Sequence, residues 1–141
     1  PTSQTDVIAM PEHTGPDSLL YYGTVRVTAR DAQRSDSQWT RAKGFDSSCP
    51  IGPWVVPGLD VEDLAVRSRV NGEPKQDGRT SQMVFDVAAL ISYISEVFTL
   101  LPGDIILTGT PAGVGLLAER DVVEVEVEEI GTLRNPVLRR S

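Results

Sequence analysis

Residues 64–76, LAVRSRVNGEPKQ, set the fold class of this chain. Leu64, Val66, Ser68 and Val70 recur with the period of two that gives a β-strand one buried face. Asn71-Gly72 follows directly. Both residues tolerate the positive φ of a two-residue hairpin turn, so residues 73–76 are expected to return antiparallel. The same signals recur on either side. Residues 22–30 hold β-branched Thr24, Val25, Val27 and Thr28 and read as a strand, and residues 54–56 read as a short one. Residues 122–127 alternate valine with glutamate, and Ile130-Gly131 turns them into a last strand through Leu133, Val137 and Leu138. In residues 105–107 the β-branched pair Ile105 and Ile106 suits a buried strand. One clear helix stands against these, at residues 86–98, with Asp86 as N-cap and Val87, Leu90, Ile91, Ile94, Val97 and Phe98 on one face. The chain therefore reads as α+β and mostly β.

At 141 residues the chain fits one domain and is long enough to bury about two-thirds of its unfolded surface. Residues 1–20 carry Pro1, Pro11 and Pro16 among Ser, Thr and Asp without a sustained period; they read as an arm or loop ahead of a domain at 21–141. The single cysteine, Cys49, excludes an intramolecular disulfide and a cluster of several thiolates. It fits a reducing compartment, so a cytoplasmic location is expected. With 13 basic and 20 acidic side chains the net charge is −7, which argues against nucleic acid or an anionic membrane as the main partner. The longest apolar run, residues 88–101, is interrupted by Ser92, Ser95 and Glu96 and is too polar to span a bilayer.

The chemistry-bearing stretches lie in two places. Residues 101–115, LPGDIILTGTPAGVG, place Gly109, Gly113 and Gly115 where backbone N–H groups can approach a small anion, and Thr108 and Thr110 where hydroxyls can meet a carboxylate or carbonyl. A plain strand-exit loop is the competing reading. The spacing matches neither G-x-G-x-x-G nor a P-loop, so no nucleotide cradle is implied. Residues 28–53 are rich in polar groups bracketed by aromatics and prolines; residues 31–43 read as an ordered loop or short helix anchored by Trp39. Lys43 precedes Gly44-Phe45. It is either an ordinary surface lysine or an ammonium held beside an apolar wall, where desolvation lowers its pKa toward acid–base use. Gln33 is a ligand contact or scaffold, and Arg30 with Asp31 makes a structural pair.

Four motifs taken together say more: TARDAQ at 28–33, QWTRAKGFDSSCPIGPW at 38–54, TSQMVFD at 80–86 and LLPGDIILTGTPAGVG at 100–115. In this order and at these separations they closely resemble the catalytic half of the fumarylacetoacetate hydrolase family. The resemblance runs over about residues 24–139 and is strongest to the bacterial 2-hydroxyhepta-2,4-diene-1,7-dioate isomerase and acylpyruvate hydrolase branch. It implies a mixed β-sheet roll with short helices, forming a homodimer or higher oligomer. It also implies Mg²⁺ or Mn²⁺ held by three carboxylates, a donor set that suits such hard ions. The implied activity is that of a hydrolase or isomerase of aromatic compound catabolism. Its substrate is a 2-oxo or acylpyruvate-type dicarboxylic acid, polarised toward its enolate for C–C hydrolysis, decarboxylation or tautomerisation. By position, Lys43 matches the family's active-site lysine, Gln33 its substrate-contacting glutamine and Thr110 the threonine of its substrate loop.

Two departures weigh against a complete site. Arg26 stands where the family has its aspartate metal ligand, and a permanent cation there repels a divalent ion. The family's other ligands lie on an upstream Glu-x-Glu strand, and no such motif occurs before Thr24. Glu12 and His13 lack the context of the family's lid pair. Glu124 and Glu126 form a later Glu-x-Glu on the C-terminal hairpin, where they are expected to face solvent. The expectation is thus an incomplete copy of the roll. The alternative function is that of a truncated, catalytically inactive remnant acting as a ligand-binding or assembly subunit, its uncovered edges and apolar surface favouring association. A short variant that binds a carboxylate at Arg26 without metal is the third possibility.

Overall fold

In chain order the elements are β1 (Thr2–Pro11), β2 (Leu19–Thr28), α1 (Arg30–Ser35), α2 (Thr40–Lys43), β3 (Ile51–Pro57), β4 (Ala65–Val70), β5 (Glu73–Arg79), α3 (Val87–Ser95), β6 (Ile106–Leu107), β7 (Val122–Val127) and β8 (Gly131–Pro136). The structure, a computed structural model, describes residues 2–11 and 19–138. The strands form two four-stranded sheets, ordered β3-β2-β1-β6 and β5-β4-β7-β8. The mostly-β class follows the sequence. The resemblance implied mixed pairing, but every ladder among the described residues is antiparallel.

The sheets meet where β2 crosses β7. Valine–glutamate alternation sends Val123, Val125 and Val127 inward, the last two 1% exposed. On β2 the facing positions are Tyr21, Gly23 and Val25, all buried. A Cβ on Gly23 would stand 3.3 Å from Val127 Cγ2 and 3.3 Å from the Gly52 carbonyl, so glycine lets the two sheets close. Each buried valine stabilises the fold by roughly 1.5–3 kcal/mol relative to exposure. The other face of β2 is covered too. Thr24 and Thr28 are buried there, and the Thr24 hydroxyl donates to the Pro50 carbonyl at 2.6 Å.

The hairpin forms as its sequence dictates. Asn71 (φ 53°) and Gly72 (φ 82°) make the turn, and the Asn71 side chain ties it to β7 by accepting from the Val122 N–H at 2.9 Å. β5 runs on to Arg79 and carries Pro74, which its edge position allows. On the exposed side of this sheet the charges form a ladder: Arg69 Nη1 lies 2.9 Å from Glu126 Oε2, Arg67 bridges Asp77 and Glu126, and Arg134 meets Glu124 at 3.2 Å. Glu124 and Glu126 are therefore half-buried ion-pair partners, where solvent-facing carboxylates were expected.

Several expectations need correction. Residues 2–11 form β1, paired with β2 along ten residues and with β6 at Ile8 and Ala9, where an arm or loop was expected. A strand between two others draws its stability from shared backbone hydrogen bonds, so the lack of side-chain alternation does not exclude it. Glu12 and His13 lie outside the described residues. Ile105 is exposed and only Ile106 of that pair is buried. Trp39, expected as an anchor, is 54% exposed. β8 stops at Pro136, which has no N–H to extend a ladder, and Val137 instead donates to the Asp121 carbonyl at 2.7 Å. α3 ends at Ser95 rather than at Phe98, because Val97 and Phe98, 69% and 65% exposed, have no core to pack against.

Two outcomes follow from this packing. Asp86 caps α3, its carboxylate accepting from the Ala89 N–H at 2.7 Å. Asp86→Ala should lower stability by about 1 kcal/mol, read as a fall in the urea midpoint at unchanged slope. The hydrogen bond from Arg69 holds the Glu126 carboxyl below the ordinary glutamate range. A lowered folded-state pKa stabilises above the unfolded value, about 4.3, and the gain is lost as pH falls through the folded value. The gap in urea midpoint between the wild type and Arg69→Ala should therefore be present at neutral pH, close in acid and shrink with added salt.

Candidate functional site

The loop after β6 leaves one sheet and lands on the other. Its strand pairs with β1, whereas residues 110–113 press against β5. The approach is close enough to require glycine on both partners. A Cβ on Gly113 (φ 103°) would lie 2.0 Å from the Lys75 carbonyl oxygen, and one on Gly78 would lie 2.8 Å from Pro111 Cβ. Beside this contact opens a cleft of about 560 Å³, walled by Thr108, Gly109 and Thr110 on one side and by Met83, Phe85 and Leu90 on the other. A pocket of this size with an apolar wall and convergent polar groups is typical of small-molecule sites.

Its charged residues are Asp77 and Arg79. Arg79 is bound by acids: its Nε donates to Asp63 Oδ1 at 2.7 Å, and Nη2 lies 3.6 Å from Glu128 Oε2. Hydrogen bonds from Arg79 and Ser81 hold the Asp63 carboxyl below the usual aspartate range. Thr110 accepts from Gln76 Nε2 at 2.8 Å. Thr110 thus lines the cleft and is supported by a glutamine that the sequence did not single out. The available signal was position: Gln76 lies in the return strand opposite Ser68, so two polar residues face inward together.

Gln33 and Lys43 occupy a second surface. α1 and α2 pack on each other beyond the end of β2, joined to it by Ala29 N–H to the Ala42 carbonyl at 2.9 Å and by Val27 N–H to the Ser48 carbonyl at 2.8 Å. Gln33 is half-buried on α1 and its Oε1 accepts from Arg30, which leaves the amide to present its N–H donors. Lys43 is half-buried at the end of α2. Its backbone is pinned on both sides, with its N–H on Trp39 and its carbonyl accepting from Ser48 Oγ at 2.9 Å. Neither residue lines the cleft that holds Thr110.

The described residues do not fit a divalent metal. None of them form a group of three His, Cys, Asp or Glu side chains placed to hold an ion. Arg26 lies on β2 in register with Gln4, on the face shared with Thr24 and Thr28. Thr28 Oγ1 is buried on that face with no hydrogen-bond partner among the described residues. Glu124 and Glu126 are committed to arginines.

Comparison with known proteins places this geometry. Residues 20–138 match the family described as Fumarylacetoacetate (FAA) hydrolase C-terminal. Protein Rv2993c of Mycobacterium tuberculosis (strain ATCC 25618 / H37Rv) is 54% identical over 128 residues, which cover 88% of this chain and 48% of that protein. The chain thus spans about half the length of the curated relatives it matches. The crystal structure of 2-hydroxyhepta-2,4-diene-1,7-dioate isomerase from Mycobacterium marinum superposes with a TM-score of 0.91 at 46% identity, covering 99% of this chain and 59% of that one. Fumarylpyruvate hydrolase from Pseudomonas aeruginosa, in complex with Mn²⁺ and pyruvate, superposes with a TM-score of 0.88 at 28% identity, covering 99% and 66%. Metal use and hydrolase or isomerase chemistry are thus present among its relatives. The two-sheet fold, the threonine–glycine loop and the match along residues 20–138 together establish that the chain belongs to the fumarylacetoacetate hydrolase family.

Proposed function

We propose that this chain carries the 2-oxo-acid-binding half of a hydrolase or isomerase that acts on a 2-oxo or acylpyruvate-type dicarboxylic acid, by C–C hydrolysis or enol–keto tautomerisation. The observation that carries the reading is the placement of Thr108 and Thr110 on the wall of a ligand-sized cleft in a chain of this family. The pyruvate held by the Pseudomonas aeruginosa relative supports the substrate class. In this reading the Thr110 hydroxyl donates to a substrate carboxylate or keto oxygen from the cleft, and Gln33 and Lys43, which stand on a second surface of this chain, act on the same substrate where assembly brings that surface to a cleft; there the Gln33 amide offers N–H donors to a second oxygen. Lys43 stabilises the negative charge that develops on the enolate oxygen, or exchanges the proton that enolisation moves. The family's divalent metal would supply Lewis-acid polarisation of the keto acid, and the described residues of this chain do not provide its ligands. A homodimer or higher oligomer working in the cytoplasm completes the proposal.

A second reading is favoured by Arg26 and by the missing carboxylate group: the chain binds a 2-oxo acid without turning it over.

Binding and turnover separate the two. Under the first reading the chain turns over an acylpyruvate with Mg²⁺ or Mn²⁺ present. Thr110→Val then weakens pyruvate binding by about tenfold, the loss of one hydrogen bond to a charged group. Lys43→Met cuts turnover by about a hundredfold or more while leaving binding near wild type. Calorimetry and a coupled assay read both. Pyruvate binding with no turnover supports the second reading, and metal-dependent turnover gained through Arg26→Asp alone overturns it. Absence of any 2-oxo acid binding defeats both.

A further inference from the structure

We infer that the wall formed by Met83, Phe85 and Leu90 is the subsite for the substrate's acyl arm, and that it takes the arm as an uncharged alkyl or aryl group, leaving any second carboxylate beyond the mouth of the cleft. The keto-acid head group rests on the function proposed above; the apolar preference rests on the wall itself.

The wall is held in place by its backbone. Thr80 donates its N–H to the Leu64 carbonyl at 2.9 Å, and its hydroxyl accepts from the Leu64 N–H at 2.8 Å. Residues Thr80–Gln82 then form a single 3₁₀ turn, closed by the Arg79 N–H on Gln82 Oε1 at 2.8 Å and by the Met83 N–H on the Thr80 carbonyl at 3.0 Å. Beyond it Asp86 caps α3. Residues 83–85 are thus strung between two fixed ends. Met83 packs on the core and Leu90 is half-buried, whereas Phe85 is 64% exposed. An aromatic ring held at the edge of an apolar wall offers area that a ligand in the cleft can cover.

Charge decides what kind of arm fits. The charged residues lining the cleft are Asp77 and Arg79. Arg79 is engaged by acids on its far side: Nε donates to the Asp63 carboxylate at 2.7 Å, Nη2 donates to the Asp63 carbonyl, and Glu128 Oε2 lies 3.6 Å from Nη2. A carboxylate reaching for this arginine from the cleft would meet Asp63, Glu128 and Asp77 around it, all of its own sign. An uncharged arm meets no such repulsion and gains by covering Met83 and Phe85. An aryl group suits both, because a thioether and a ring each make favourable contacts with an aromatic face or edge. Size agrees with this. A cleft of about 560 Å³ has room for an arm well beyond a three-carbon keto acid.

The test compares pyruvate, phenylpyruvate and 2-oxoglutarate by calorimetry on the wild-type chain, Phe85→Ala and Phe98→Ala; Phe98 is 65% exposed and lies off this cleft. In 2-oxoglutarate a carboxylate stands about where phenylpyruvate has its ring. The wild-type chain should bind phenylpyruvate about tenfold more tightly than pyruvate, and 2-oxoglutarate no more tightly than pyruvate. Phe85→Ala should bring the phenylpyruvate-to-pyruvate ratio close to one, and Phe98→Ala should keep the wild-type ratio. Benzyl alcohol, a ring without the keto acid, is followed in parallel by NMR of the methionine methyl groups, Met10 and Met83 being the two methionines of the chain. It should shift the Met83 methyl saturably in the wild type and less in Phe85→Ala. Should Phe85→Ala not fold, the wild-type order of the three acids and the Met83 shift decide. Binding of 2-oxoglutarate as tight as that of phenylpyruvate, or a selectivity that survives Phe85→Ala, overturns the inference and leaves the proposed function standing. If no 2-oxo acid binds while benzyl alcohol shifts Met83, the proposed function fails and the apolar subsite stands; a Met83 methyl that no probe shifts defeats the subsite.

Discussion

The closure of β2 on β7 is the constraint on which the rest of this molecule depends. Val125 and Val127 are almost wholly buried against the Tyr21, Gly23 and Val25 face, and Gly23 alone removes the side chain that would hold the sheets apart. Once the sheets are closed, every other element is placed with reference to one of them. α1 and α2 hang from the end of β2, and the hairpin hangs from β7 through the Asn71 bonds.

The threonine–glycine loop is shaped by the gap between those sheets. It begins on one and must reach the other, and the contact it makes there tolerates no side chain at Gly113. Its conformation is therefore set by two anchors rather than by the loop's own turn preferences. Buried Gln76 donates to both Thr110 Oγ1 and the Pro111 carbonyl, which ties the loop to β5. The cleft's one arginine is held by Asp63 and Glu128.

The charged residues on the outside of the β4–β7 sheet show how pairing changes the meaning of a motif. Glu-x-Glu is a metal-ligand pattern in isolation, yet here register puts Arg67 and Arg69 across from Glu126 and Glu124. Carboxylates that accept from arginine are neutralised as structural partners. Arg26 brings a positive charge to β2, on the face shared with Thr24 and Thr28.

Much was legible from the residues alone. The hairpin at Asn71-Gly72, the inward valines of β7 and the Asp86 cap follow from side-chain period and local hydrogen bonding, which act over a few residues and need no partner. The four ordered motifs gave the family. What the sequence left open depends on partners far along the chain. β1 carries no alternation and exists because β2 and β6 flank it. Trp39 and Ile105 are apolar but meet no core. Gln76 reads as an ordinary polar strand residue until the β4–β5 pairing turns it inward and the loop arrives above it. Local pattern determines what a segment can become, while burial and long-range hydrogen bonds exist only after the sheets have closed. That is why the elements were written in the sequence, and the surroundings of Thr110 were settled only by the packing around it.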